Sequence, residues 1–392
     1  MFVEICERGR DAFARAMEEI ERGRGVVLPR GDLSLEEESR LKRLAFDRGL
    51  LVLGPGCTSS HLEGKGIGIW NSVKKGPVGI ISTGGSGIRE LTALLQDVGV
   101  SNSLCVGPRD LSQRVGGLGA IMAIRYLSSD PDTEVILLAS RTPPSGVARA
   151  VLGEAERCGK PAIMCFLGEG LTGFKACGTF EEAASCALGA LGREPSSSLP
   201  ADMQDIAAEE RSKFAYGQRY VRGLFSGGML CLEAQAVLRE RLASVHSNVP
   251  LSPRSRLPDP HSSRGHACVD MGDPELSEAH PAVDLSPRCR RILREAGDLE
   301  AAVLLLDVML GNGAHPDPAR ELAEAIVRAR EKAEETGGYL STVVSIVGTD
   351  LDPQGLPSQR KTLERAGAII TPSNASASEL AAMIVRSGQR AR

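Results

Sequence analysis

Aromatic residues are scarce: Phe, Trp and Tyr make up 3% of the 392 residues, with a single Trp. Val, Ile, Leu and Ala must therefore pack the core, as they do in buried parallel strands flanked by helices. Long apolar runs are missing too. The longest, such as residues 301–306, fall far short of the ~18 residues that suggest a membrane span. Residues 1–7 (MFVEICE) have neither the basic start nor the apolar stretch of a signal peptide. No basic stripe interleaves with aromatics, and the formal net charge is −4, which argues against a nucleic-acid partner. No CxxC pair, HExxH, Cys–His zinc spacing or GxSxG elbow occurs. The ten cysteines read as reduced thiols in a cytoplasmic protein.

Glycine, by contrast, is abundant at 44 residues and clusters just after apolar runs, where a turn or a close approach to ligand needs it. From residue 76 onward strands alternate with helices of ~10–15 residues, which means βαβ units and a parallel sheet. Strands are expected at 78–82, 103–106, 134–139 and 162–166, and again at 220–225, 267–270, 301–307, 343–347 and 368–370. The fold class is therefore α/β, with two flavodoxin-like domains at 76–193 and 217–392. A truncated Rossmann-like segment (1–75) precedes them, a polar linker (194–216) joins them, and a flexible Ser/Pro/Arg/His-rich insertion lies near 246–265. In the first segment, Ser34 and Glu37 form a capping box.

Two turns have the shape of anion sites. In VGIISTGGSGIRELTALL (78–95) a buried strand runs through Thr83, Gly84, Gly85, Ser86 and Gly87 straight into a helix. The free N–H groups and positive dipole end of that helix attract anions. A shorter copy, GLFSGGMLCLEA (223–234), has Ser226, Gly227 and Gly228 at the turn. An ordinary tight βα turn would look the same. Arg109, in the GPRDLS loop, follows a strand end and could fork onto a carboxylate or phosphate; equally, it could pair with a neighbouring acid while Asp110 caps the next turn. A third, acidic cluster runs through Asp270, Asp273, His280, Asp284, Asp307 and His315. Asp307 and His315 are its candidate catalytic pair, either for proton transfer or for Mg²⁺; as turn formers and caps they would need no ligand.

Several blocks together are similar to a known family. GDLSLEEESRLKRLAFDRGLLVLGPGC, GPVGIISTGGSGIRELTALL, GPRDLSQRVGGLGAIMAI, DPDTEVILLAS and GKPAIMCFLG resemble, in order, the α subunit of succinyl-CoA synthetase. RDLSQRVGG, VDMGDPELSEAHPAVD with Arg288, and LLLDVMLGNGAHPDPA resemble the FdrA family of the acyl-CoA synthetase superfamily. Two departures stand out. The loop that carries the synthetase's phosphohistidine corresponds to FLGEGLTGFKACGTFEEA, which has no histidine. The Gly-rich turn that would hold the CoA diphosphate is missing. The resemblance implies two helix N-termini, at 83–90 and 226–233, facing a phosphate that belongs to a small substrate. It implies a carbamoyl- or acyl-phosphate-dependent transferase of the oxamate carbamoyltransferase class in allantoin catabolism. It further implies a small phosphorylated or carboxylate substrate and either partner subunits or a homodimer. Alternatives are an acyl-CoA synthetase subunit that uses nucleotide and CoA, and a non-catalytic structural subunit; no cofactor is certain from the sequence, with CoA or Mg²⁺ as the candidates.

Overall fold

The structure, a computed structural model, describes residues 2–168, 176–194 and 202–386. Two compact units divide the chain, Met1–Pro195 and Ser196–Arg392.

The first unit opens with β1 (Phe2–Glu4), α1 (Gly9–Glu21), β2 (Gly25–Val27), α2 (Leu35–Asp47) and β3 (Val52–Leu53). The three strands form a small parallel sheet in the order β1-β2-β3. Ile5, Ala16, Ile20, Val26 and Leu41 fill its core. The capping box at Ser34 and Glu37 is present and starts α2.

Next comes an antiparallel hairpin, β4 (Ser59–Leu62) and β5 (Lys65–Gly68). The alternating part follows as β6 (Val78–Ser82), α3 (Gly85–Leu94), β7 (Val100–Cys105), α4 (Leu118–Ser129), β8 (Val135–Arg141), α5 (Ser145–Arg157), β9 (Ala162–Leu167) and α6 (Phe180–Ala190). The hairpin adds to the edge of this sheet, whose order is β5-β4-β7-β6-β8-β9. Its antiparallel contact with β7 was not legible from a sequence that reads as alternating strands and helices.

The second unit contains α7 (Met203–Ser212), β10 (Tyr220–Phe225), α8 (Gly228–Arg241), β11 (Val245–Ser247), β12 (His266–Asp270), α9 (Ser286–Glu295), β13 (Ala301–Met309), α10 (Pro318–Glu335), β14 (Ser341–Val347), α11 (Leu356–Arg365), β15 (Ile369–Thr371) and α12 (Asn374–Val385). The parallel order is β11-β12-β10-β13-β14-β15. All nine residues of β13 are buried, as expected for a central strand covered on both faces. Every strand foreseen from residue 76 onward is present, within a few residues of its expected ends.

Two expectations need revision. The stretch from 203 is not an open linker, because α7 packs in the second unit, where Arg211 Nε donates to the Ile384 carbonyl at 3.0 Å. Nor is 246–265 a loose insertion. It begins in β11, and Arg291 donates to Pro260 O at 2.8 Å and to Ser263 Oγ at 2.9 Å. Both segments are polar on the surface, and their anchors come from residues far away in sequence.

Candidate functional site

In an open parallel sheet, ligands bind beyond the carboxyl ends of the strands, at the point where strand order reverses. In the first sheet β6 is flanked by β7 and β8; in the second β10 is flanked by β12 and β13. Each glycine-rich turn follows that reversing strand. The topology therefore places both turns where sequence pattern alone had suggested them.

The first turn is tightly built. Ser82 Oγ accepts from Gly84 N at 3.2 Å and donates to Gly84 O at 3.0 Å. Thr83 N donates to Ala139 O at 3.1 Å, and Gly87 N to Gly84 O at 3.1 Å. Thr83 and Ser86 are buried, and each has a partner within the chain. Gly84 is the N-cap, in an extended conformation at φ −151°, and α3 begins at Gly85. A Cβ on Gly85 would lie 2.3 Å from Thr58 Oγ1 and 3.0 Å from Ser59 N. Glycine is required there because the GPGCTSS segment presses on the helix start. Thr58 is exposed and stands at the mouth of the turn. Sequence reading missed it, since it lies 27 residues upstream of Gly85, in a different motif.

The residues level with the end of β6 are neutral, and β8 runs on two residues further to Arg141. Ser82 pairs with Cys105 on one side and Ala139 on the other. A hydrogen bond from Cys57 holds the Cys105 thiol below its usual range against the opposing effect of burial.

The second turn has the opposite character. Phe225 pairs with Asp270 on β12, and Asp307 lies at the equivalent place on β13, one step beyond the Leu224–Leu306 pair. Asp307 is fully buried. It accepts from Ser226 N at 2.7 Å and pairs with Arg288 at 3.3 Å. Arg288, itself 1% exposed, also donates to Ser226 Oγ at 2.7 Å and Leu224 O at 2.6 Å. A carboxylate of the protein thus bonds the backbone just before the N-cap of α8. Gly227 caps α8, and a Cβ on Gly228 would lie 3.0 Å from Asp270 Oδ2. Burial pushes the Asp270 carboxyl up to about 7, with Asp273 and Asp307 adding repulsion and the Gly272 N–H opposing it. A carboxyl that titrates near neutrality at a strand end is suited to proton transfer.

The three residues expected to be catalytic have other partners. Arg109 Nε pairs with buried Glu38 at 2.8 Å, and its Nη2 donates to Leu33 O at 2.7 Å. Its neighbour Asp110 accepts from Gly119 N and Ala120 N, both at 2.9 Å, and so caps α4. Lys42 joins them, bonded to Glu38 at 2.9 Å, Asp110 at 2.8 Å and Val106 O at 2.7 Å. The GPRDLS loop is thus a knot that ties α2 to the larger sheet. Asp307 and His315 are not brought together as a bonded pair. His315 Nε2 faces Glu321 Oε1 at 3.0 Å, and its Nδ1 accepts from Asp317 N at 3.1 Å, at the start of α10. Part of the segment matching the phosphohistidine loop, 169–175, lies outside the described residues. Among the described residues, no group of three or more His, Cys, Asp or Glu is placed to hold a metal ion. No helix among them is long and apolar enough to cross a membrane.

The turn of the second unit falls within a recognised domain: residues 224–384 match the CoA-ligase family. The whole chain is 35% identical over 397 aligned positions to the uncharacterized protein YahF of Escherichia coli strain K12, covering 99% of this chain and 77% of YahF. The protein belongs to the YahF family and carries a CoA-ligase domain. Among solved structures, it is similar to PH0766 from Pyrococcus horikoshii OT3 at 17% identity and TM-score 0.34, covering 98% of this chain and 83% of that one. The acetyl-coenzyme A synthetase 1 of Ca. Korarchaeum cryptofilum, in complex with phosphate and ADP, gives 17% and 0.32, with 98% and 82% covered. The ATP citrate lyase of Methanothrix soehngenii, in complex with citrate and coenzyme A, gives 11% and 0.28, with 79% and 50% covered.

Proposed function

We propose that this protein is an acyl-CoA-synthetase-type enzyme, and that its first turn cradles the phosphoryl group of an acyl phosphate. The observation that carries this reading is the contrast between the turns. Both open a helix at a strand-order reversal, but carboxylates, Asp270 and Asp307, stand on the flanking strands only at the second, while Cys105 and Ala139 stand there at the first. The α3 dipole and the Gly85 N–H therefore face a phosphoryl group with no carboxylate on the neighbouring strand ends to repel it. Thr58 adds a hydroxyl at the mouth. In the second unit, Asp270 is the group suited to moving a proton. Catalysis at the first turn is positioning and electrostatic stabilisation.

A second reading is transfer from carbamoyl phosphate, of the FdrA-like kind, with partner subunits or a second copy. The histidine inventory favours it: no histidine occurs between residues 62 and 245. A phosphoryl group held at the first turn would then stay on a small molecule.

One titration series tests both. Inorganic phosphate, acetyl phosphate, carbamoyl phosphate and CoA are titrated calorimetrically into the parent, Thr58→Asp and Thr58→Val. An aspartate at 58 places a carboxylate at the start of α3. It is expected to weaken phosphate ligands at least ~10-fold while leaving the fold intact, because acids at helix N-termini are stabilising. Thr58→Val is expected to lose only the hydroxyl contribution, ~3–10-fold. Acetyl phosphate with CoA binding supports the synthetase reading, whereas carbamoyl phosphate without CoA supports transfer. Equal binding by parent and Thr58→Asp would remove the first turn from the mechanism.

A further inference from the structure

A cavity of about 260 Å³ runs along the outer side of α9. Its lining includes Arg290, Arg291 and Arg294 from the helix, His261 from the preceding loop, and Met271 and Leu276 from the segment after β12. We propose that this cavity binds a small organic anion, a carboxylate or phosphate carried on a compact apolar body.

Three arginines line the cavity, and Glu295 neutralises Arg291, which leaves Arg290 and Arg294 as the cations that face it. Arg291 is the built part. It is 5% exposed, pairs with Glu295, and pins the 260–263 loop that carries His261. Arg290 and Arg294 are four residues apart, one helical turn, and so share a face. Both are exposed, and among the described residues neither has a carboxylate within ion-pair distance. Asp284 and Asp259 act on them only at longer range. Two guanidinium forks on one face suit the planar oxygens of a carboxylate or phosphate. Met271, 2% exposed, and Leu276 give the cavity an apolar floor. That floor favours an anion with a hydrocarbon part over a bare ion. At about 260 Å³ the cavity lies at the small end of ligand sites, which suits a compact anion. α9 reaches the switch-point turn through its inward residue Arg288, and the floor residue Met271 follows Asp270 and donates its N–H to Phe225 O at 2.8 Å.

The test is calorimetric titration of the full chain with phenyl phosphate, phenylacetate, inorganic phosphate and CoA. The same ligands are titrated into the double variant Arg290→Glu/Arg294→Glu. Phenyl phosphate or phenylacetate is expected to bind, and whichever binds more tightly identifies the anion. Inorganic phosphate is expected to bind at least ~10-fold more weakly, for want of the apolar contact. The double variant is expected to lose at least ~100-fold while still unfolding cooperatively, with a melting temperature somewhat lowered by an acid in the last turn of α9. Three results would overturn the proposal: no aryl anion binding at 10 mM (about ten times a ~1 mM Kd), inorganic phosphate binding as tightly as phenyl phosphate, or affinity surviving in a folded double variant. All of these titrations are run in the Thr58→Asp background, where phosphate at the first turn is weakened, so that the affinities compared are those of this cavity; phenylacetate, which carries no phosphoryl group, reports the cavity in the parent as well.

Discussion

Asp270 is the residue whose chemistry departs furthest from its sequence context. In VDMGDP it looks like one turn-forming acid among several. In the fold it stands at the carboxyl end of β12, against the start of α8, with Asp273 and Asp307 nearby. Its pKa rises from an ordinary 3.8 to about 7. Between those values the native state binds more protons than the unfolded chain. The stabilisation is therefore complete below about pH 4 and is lost as pH rises toward 7. Asp270→Asn removes the titration. It is expected to be more stable than the parent at pH 8, with the gap closing toward pH 4. Urea unfolding at a series of pH values checks this, and a pH-independent gap would refute it. The residue scale is also where sequence reading was weakest. Thr83, Ser86, Arg109 and His315 carry the right chemistry, but each has a partner inside the protein. Periodicity reports which strand end a residue occupies. It does not report which distant residue will bond to it, as Glu38 does to Arg109 and Glu321 to His315.

At the scale of elements, the GPRDLS loop shows how a ligand-like motif becomes architecture. Lys42 from α2 reaches Asp110, the acid that caps α4, and Glu38, the partner of Arg109. Burial alone would lower the Lys42 pKa, but Asp110 and Glu38 hold it above the usual lysine range. Lys42→Met would leave buried Asp110 without a cation and Glu38 with Arg109 alone. Breaking such a pair from one side costs about 3–5 kcal/mol, so the first unit is expected to be destabilised by that amount. Denaturant unfolding measures it, and a loss under ~1 kcal/mol, typical of exposed pairs, would contradict the burial argument. The elements themselves were largely legible. The strands from residue 76 onward announce themselves as apolar runs punctuated by glycine. The hairpin β4–β5 did not, because SSHL and KGIG have little apolar pattern. Hydrogen bonds from and to β7 and its neighbours, such as His61 N to Ser103 Oγ at 2.9 Å, hold it in place.

At the scale of the whole molecule, the chain holds two units with a shared strand logic and separate cores. Counting from the strand before the turn and setting aside the β4–β5 hairpin and the short edge strand β11, the first sheet runs 2-1-3-4 and the second 2-1-3-4-5. Fragments Met1–Pro195 and Ser196–Arg392 are therefore each expected to unfold cooperatively when expressed alone, as independent cores of this size do. Far-UV circular dichroism melts check this; a fragment with no sigmoidal transition would show that its core needs the other. The duplication was visible in the sequence as two Gly-rich turns offset by about 140 residues. The divergence was not, because Asp270, Asp307, Cys105 and Ala139 are brought beside the turns only by the order of the strands.

The crowding at Gly85 bears on how such turns are interpreted across relatives. That glycine is kept small by Thr58 and Ser59, so an unchanging glycine there would carry no information about phosphate. The informative position is 58, whose side chain stands at the opening and is free to change without disturbing the helix behind it. A family built on this turn would keep its signature motif constant while its ligand preference drifted in a neighbouring and less conspicuous segment.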